Sequence, residues 1–302
     1  MHTIIEQPDV RVTIGAREAE RYCATLARHE AKNFYWGFIA LPRTQRMAIY
    51  ALYDFARQVD DEADRPQSER ELTRLTRHRE RLRDCAAGRY DDPVMRLLGQ
   101  AIARYQIPVR ELEQVIDGVE LDLRRNRYQS WAELSHYCGL VASSVGRTCV
   151  RIFGFTDARA LDFADDLGRA MQLTNILRDL REDYFQFGRI YLPQDELTRF
   201  GITEDRLTGS FADAARAPDL GPGWAAFVGF QATRARQLFA SGLRVAELIP
   251  TSSAACVLTM AGLYRTILAQ IECDPALPLT RRVSLSGKTK LSVMVKSWLH
   301  AM

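Results

Sequence analysis

Two acid-bearing stretches offer the clearest chemistry in this chain. The first is RQVDDEAD, residues 57–64, with Asp60, Asp61 and Asp64; the second is NILRDLRED, residues 175–183, with Asn175, Asp179 and Asp183. On a helix four residues turn through about 400°, so Asp60 and Asp64 point along one face. Asn175, Asp179 and Asp183 stand at i, i+4 and i+8 and share one stripe. Carboxylates and an amide so arranged are oxygen ligands for a hard divalent cation, Mg²⁺ first and Mn²⁺ as an alternative, which commonly comes with phosphate oxygens of a substrate. Both stretches sit in apolar company, residues 48–55 before the first and Met171, Leu173, Ile176 and Leu177 within the second. A carboxylate buried there without a partner would be costly. Each also has an arginine close by, Arg57 and Arg178, and Gln172 lies one turn before Asn175. Guanidinium beside metal-binding carboxylate is a set suited to holding diphosphate.

Two further clusters extend that reading. Lys32, Asn33 and Phe34 open the aromatic run KNFYWGF, in which a lysine can pin phosphate while ring faces stabilise a cation. Near the C-terminus Arg281, Arg282, Lys288 and Lys290 gather in a chain otherwise dominated by arginine, with Tyr264 upstream. The five histidines show no paired spacing, and there is no Gly-rich phosphate loop and no GxSxG elbow.

The elements that must carry these residues read as helices. Helical periodicity predicts helices over 15–31, 43–64, 67–87 (exposed), 93–105, 109–125, 131–153, 158–185, 224–248 and 251–272. Thr156 or Asp157 caps the helix at 158 and Gly188 ends it. Residues 201–223 are expected to form a loop, and a basic tail closes the chain. Ala142, Ser143, Ser144 and Gly146 would let the 131–153 helix approach a neighbour closely. No run of alternating β-branched residues suggests a strand. The expected fold class is all-α, as one domain over 1–302.

Composition bounds the rest. The 302 residues are 47% hydrophobic and 26% charged with a net charge of +3, which fits a soluble protein. Its arginines alternate with acids rather than forming a stripe, so nucleic acid is not an expected partner. Six cysteines show no CxxC spacing, and several, within apolar helical stretches, read as reduced core residues. No signal-peptide layout and no uninterrupted apolar span are found, so a cytoplasmic protein is expected, with peripheral contact at the inner membrane face left open. Lys288, Lys290, Lys296 and Trp298 would supply a basic-aromatic contact there. Monomer and homodimer are both left open.

Taken in order, KNFYWGF…LPRTQRMAIYALYDFARQVDDEAD, YCGLVASSVG and QLTNILRDLREDYFQFGRIYLPQDEL resemble the squalene/phytoene synthase family over nearly the whole chain. The resemblance implies an α-helical isoprenoid synthase fold around a central cavity. It also implies Mg²⁺ on the two acidic motifs and head-to-head joining of two prenyl diphosphates. Matched by position, it makes Asp60, Asp64, Asp179 and Asp183 metal-binding, and Asn175 metal- or diphosphate-associated. Arg57 and Arg178 match diphosphate contacts, as do Tyr264, Arg282 and Lys290. Lys32, Asn33 and Phe34 fall at the substrate mouth, and Tyr137 matches a tyrosine implicated in proton removal or cation stabilisation. Two positions depart from the family pattern: Asn33 replaces Ser or Thr, and Ser143 replaces a small Gly, which is expected to narrow the cavity slightly. The expected reaction is condensation of two farnesyl diphosphates to presqualene diphosphate, as in the hopanoid pathway, with NADPH needed only if it continues to squalene. The alternative is phytoene synthesis from two geranylgeranyl diphosphates. Less favoured are a terpene cyclase and a non-catalytic helical assembly factor.

Overall fold

This computed structural model describes residues 15–30, 35–63, 71–212 and 220–301. Lys32, Asn33, Phe34 and Asp64 lie outside them. Fifteen α-helices are described: α1 Ala16–Glu30, α2 Tyr35–Phe38, α3 Arg43–Ala63, α4 Glu71–Ala86, α5 Pro93–Tyr105, α6 Val109–Arg124, α7 Trp131–Cys138, α8 Ser144–Phe153, α9 Arg159–Phe187, α10 Gln194–Arg199, α11 Glu204–Ala212, α12 Pro222–Gly242, α13 Thr251–Cys273, α14 Leu277–Thr280 and α15 Gly287–Ala301. No strand occurs among the described residues, as the helical periodicity predicts, though Arg127 and Ile190 form an isolated bridge.

Local chemistry explains the helix ends. Asp92 caps α5, its carboxylate accepting from Met95 N at 2.8 Å with Pro93 at the first helical position. Ser130 caps α7 while Glu133 accepts from Gln129 N at 2.8 Å, a reciprocal pair close to a capping box. Asp157 accepts from Arg159 N at 2.9 Å at the start of α9, and Gly188 ends that helix in the left-handed conformation at φ 66°.

α9 is the axis of the molecule, packed against α8, α12 and α13. Leu173, Ile176 and Leu177 are buried along it; burying each such side chain contributes about 1.5–3 kcal/mol. The stretch 131–153 runs continuously but with a π-helical turn at Gly139–Ser143. There the small residues do bring two helices together: a Cβ on Gly168 of α9 would lie 2.7 Å from the Ser143 backbone.

Three expectations change. Residues 204–212, expected as loop, form α11, because Leu207 and Phe211 stand four apart and both bury, with Glu204 and Asp205 in the first turn. The helix expected at 67–87 is described as α4, and it is less exposed than its charges suggest: it buries Leu75, His78, Leu82 and Cys85 along one face. The basic tail is the helix α15, seated on α13, where Gly262 leaves room for Val293. α13 is long and apolar enough to cross a membrane by length and composition, yet it is mostly buried within the fold.

Candidate active site

An apolar cavity of about 270 Å³ lies between α3, α8, α9 and α13. Ile49, Val150, Phe153, Leu167 and Val245 line its inner part, and Ala56, Val141, Gln172, Asn175 and Tyr264 line it further along. Asp60 stands one turn beyond Ala56 on α3, and Asp179 one turn beyond Asn175 on α9. Both acidic motifs therefore continue the walls of one cavity toward the same end. The cavity supplies a hydrocarbon-lined channel leading to a charged mouth.

The second motif is largely enclosed. Arg178 is 8% exposed and grips Asp179, Nε to Oδ1 at 2.8 Å with a second contact to Oδ2. Burial alone would pull this guanidinium's pKa down; the Asp179 carboxylate more than reverses that. Arg282 reaches Asp179 Oδ1 from the C-terminal segment at 2.9 Å and Glu182 at 3.4 Å. Tyr264 is buried beside Arg178 and Asn175. The predicted C-terminal contact of Arg282 and the Tyr264 contact thus join the motif. Lys290 lies on the first turn of α15, and no ion pair reaches it among the described residues.

The described part of the first motif is more exposed. Arg57 pairs with Asp61 at 2.8 Å along the helix, both close to half exposed, and Asp60 is exposed.

Whether these residues suit a divalent cation can be tested on their own chemistry. Asn175 Oδ1 is buried without a hydrogen-bond partner, while the amide's nitrogen donates to Gln172 at 3.2 Å. Burial first, and the neighbouring Asp179 charge second, push the Asp183 carboxyl up to about 8. An orphaned oxygen beside mutually repelling carboxylates is a donor set that a cation would satisfy. Among the described residues no three His, Cys, Asp or Glu side chains form a ready-made metal cluster; Asp64 lies outside them. The residues fit Mg²⁺.

Tyr137 has company that its sequence position did not announce. Its hydroxyl donates to Asp122 Oδ2 at 2.7 Å, and the Tyr191 hydroxyl donates to Oδ1 of the same carboxylate at 3.0 Å. The two rings stack at 5.1 Å, with Tyr128 against both. Burial drives both phenols well above their ordinary pKa, with the Asp122 charge second. The turn at Gly188 brings Tyr191 here, the returning segment being held by Ile190 N to Asn126 O at 3.0 Å and Gln194 N to Tyr128 O at 2.9 Å. Asp122, Arg189 and Tyr191 gather here although the sequence singles out none of them; the one available signal is the RIYLP segment after the second motif.

Ser143 corrects an expectation. It is fully buried, its hydroxyl donates to Asp165 O at 2.7 Å, and Val141, Ala142 and Val145 line the cavity instead. The π turn rotates Ser143 toward α9, so it fastens two helices rather than narrowing the channel.

Comparison with known proteins agrees with this geometry. The family model for squalene/phytoene synthase matches residues 27–289. A phytoene synthase of Mycobacterium tuberculosis is 38% identical over 91% of this chain and 89% of its own length. A 15-cis-phytoene synthase of Synechococcus elongatus is 34% identical over 87% and 86%. Among solved structures, a dehydrosqualene synthase superposes with a TM-score of 0.84 at 28% identity, covering 95% of this chain and 98% of that one. A squalene synthase of Alicyclobacillus acidocaldarius gives 0.78 at 30% identity, covering 87% and 96%. An isoprenoid synthase fold, a hydrocarbon cavity and two acid-arginine motifs at its mouth lead to one conclusion: this chain belongs to the squalene/phytoene synthase family, prenyltransferases that condense two prenyl diphosphates head to head.

Proposed function

We propose that this enzyme is a phytoene synthase-type catalyst that condenses two geranylgeranyl diphosphates. The observation that carries the condensation is an apolar cavity with both acid-arginine motifs at one end. The C20 choice draws on the relatives, several of which bear the name phytoene synthase. This reverses the sequence-based preference for farnesyl diphosphate. The C15 reading keeps the support of the dehydrosqualene and squalene synthase structures.

In this reading Arg178, Arg282 and Tyr264 hold one diphosphate at the enclosed motif, and Arg57 serves the open one. Mg²⁺, held by Asp60, Asp61, Asp64, Asn175, Asp179 and Asp183 when bound, supplies Lewis-acid stabilisation of the departing diphosphate. The allylic C–O bond ionises while the apolar walls exclude water that would quench the cation. The C2=C3 bond of the second substrate attacks, and proton loss closes a cyclopropane.

The test is a competition. Purified enzyme receives Mg²⁺ with equimolar farnesyl and geranylgeranyl diphosphate, with and without NADPH, and the lipid extract is analysed by mass. The expected product is C40 in excess and independent of NADPH; a C30 product in excess assigns the enzyme to farnesyl diphosphate.

The reading extends to lipid. α15 turns Leu291, Val295 and Leu299 outward at helical spacing, and the same helix carries Lys288, Lys290 and Lys296 but no acid. Such a face suits an anionic bilayer, into which a C40 product would pass. The chain is expected to float with anionic but not with neutral vesicles, and the double substitution Val295→Asp with Leu299→Asp should abolish flotation. No flotation of the unaltered chain with either vesicle refutes it.

A further inference from the structure

We infer that Asp122 is the positioning residue behind Tyr137: it orients two tyrosine hydroxyls and takes up the proton that Tyr137 passes on. The inference rests on the condensation reading above.

A phenol has one hydrogen to donate. Tyr137 and Tyr191 both give theirs to Asp122, at 2.7 and 3.0 Å, and the two hydroxyl oxygens lie 3.4 Å apart. The lone pairs of both oxygens are thereby left to face away from the carboxylate. Tyr137 stands one turn before Val141, which lines the cavity, on one continuous helical run. Tyr191 feels the charges of Asp183 and Arg189, and Asp183 feels that of Asp122. The cluster therefore sits behind the wall that carries Val141 and within electrostatic reach of Asp183 in the enclosed motif.

A purely mechanical role leaves too much unexplained. The segment after Gly188 is already fastened without Asp122, by three backbone hydrogen bonds to residues 126–129 and by Arg127, which donates to Gly188 O at 2.6 Å and pairs with Glu204. One tyrosine would also suffice for a strut. Two hydroxyls converging on one carboxylate make an acceptor with its donors aligned.

The chemistry balances as follows. The C–H bond on the newly joined carbon, two bonds from the cationic carbon, breaks, and its electron pair forms the C–C bond to the cationic carbon that closes the cyclopropane. The proton goes to the Tyr137 oxygen as that residue's own hydroxyl proton moves to Asp122 Oδ2. The carbocation and the carboxylate are neutralised together, and Asp122 returns the proton to water. A phenol held far above its ordinary pKa cannot wait as a phenolate; it can serve by exchanging one proton for another.

The test uses Asp122→Asn, Tyr137→Phe, their double variant, Tyr191→Phe and Asp122→Glu, with geranylgeranyl and farnesyl diphosphate. Asp122→Asn is expected to lower kcat about 100-fold with KM within about a factor of two, the lower end of what proton-transfer groups supply. Water-quenched alcohols should rise as a share of product. Tyr137→Phe should behave alike and the double variant no worse, since the two act as one unit. Tyr191→Phe should lose less, and Asp122→Glu should recover part of kcat. Wild-type kcat and product spectrum in Asp122→Asn, or losses that multiply in the double variant, overturn the inference alone. If Asp122→Asn does not fold, Tyr137→Phe and Tyr191→Phe decide: wild-type kcat and product spectra in both overturn it. A wild-type enzyme that makes no condensed product overturns the condensation reading, and this inference with it.

Discussion

The two acidic motifs differ in how far the fold has completed them. On α9 the motif is enclosed: Arg178 is buried, Asp179 holds two arginines, and Asp183 keeps its proton near neutral pH because burial outweighs the pull of Arg189. On α3 the described part of the motif is open, with Asp60 exposed and a solvent-facing ion pair from Arg57 to Asp61. Under the proposed function, the enclosed motif would be preorganised for one diphosphate and a cation, and the open one would recruit them from solution. Electrostatics behind low-dielectric walls are worth more than the same charges in water, so the enclosed motif should dominate the chemistry.

The largest effect should come from breaking that motif. Asp179→Asn should lower kcat by about 10²–10³-fold with an unchanged circular dichroism spectrum, and excess Mg²⁺ should not restore it. Asp60→Asn should also lose most activity, but raised Mg²⁺ should recover part of it, because cation affinity is what the open site loses. Equal responses of the two variants to Mg²⁺ would erase the comparison, and full activity in both would remove the assignment. Next in size is Arg282→Ala, which should raise KM about tenfold with kcat changed less, read from initial rates.

The third test is pH. Asp183 has a folded value of about 8, against about 3.9 when unfolded. Between these the folded chain holds a proton that the unfolded chain has lost, so metal-free stability falls as pH rises from about 4 to about 8. A cation displacing that proton should therefore raise Tm more at pH 9 than at pH 6, by about 2–4 °C. Asp183→Asn should abolish the difference, measured by calorimetry. The smallest effect belongs to the open motif: Arg57→Gln should change stability by less than about 0.5 kcal/mol in urea unfolding.

Much of this was legible in residue spacing. The Asn175, Asp179, Asp183 stripe needs only helical periodicity, and Arg178 comes with it. What joins distant segments was not. Asp122 and Tyr191 lie far apart in sequence and meet only because Gly188 reverses the chain. The charge-rich α4 hid a buried face, and α11 was hidden by Gly, Asp and Ser around its two anchoring apolar residues. Asp54, on the same helix as the exposed Asp60, is fully buried, with burial pushing it up to about 7 and Cys23 pulling partly back. Spacing gives the face a residue occupies; which neighbour covers that face is decided by packing.

The central claim is that one site takes two prenyl diphosphates. Its most direct test is stoichiometry: enzyme with Mg²⁺ and geranylgeranyl diphosphate alone, measuring released diphosphate against the mass of the lipid product. The expected result is a C40 hydrocarbon with two diphosphates released per molecule, or one for a cyclopropyl diphosphate. C20 products alone, with one diphosphate released for each, would contradict it.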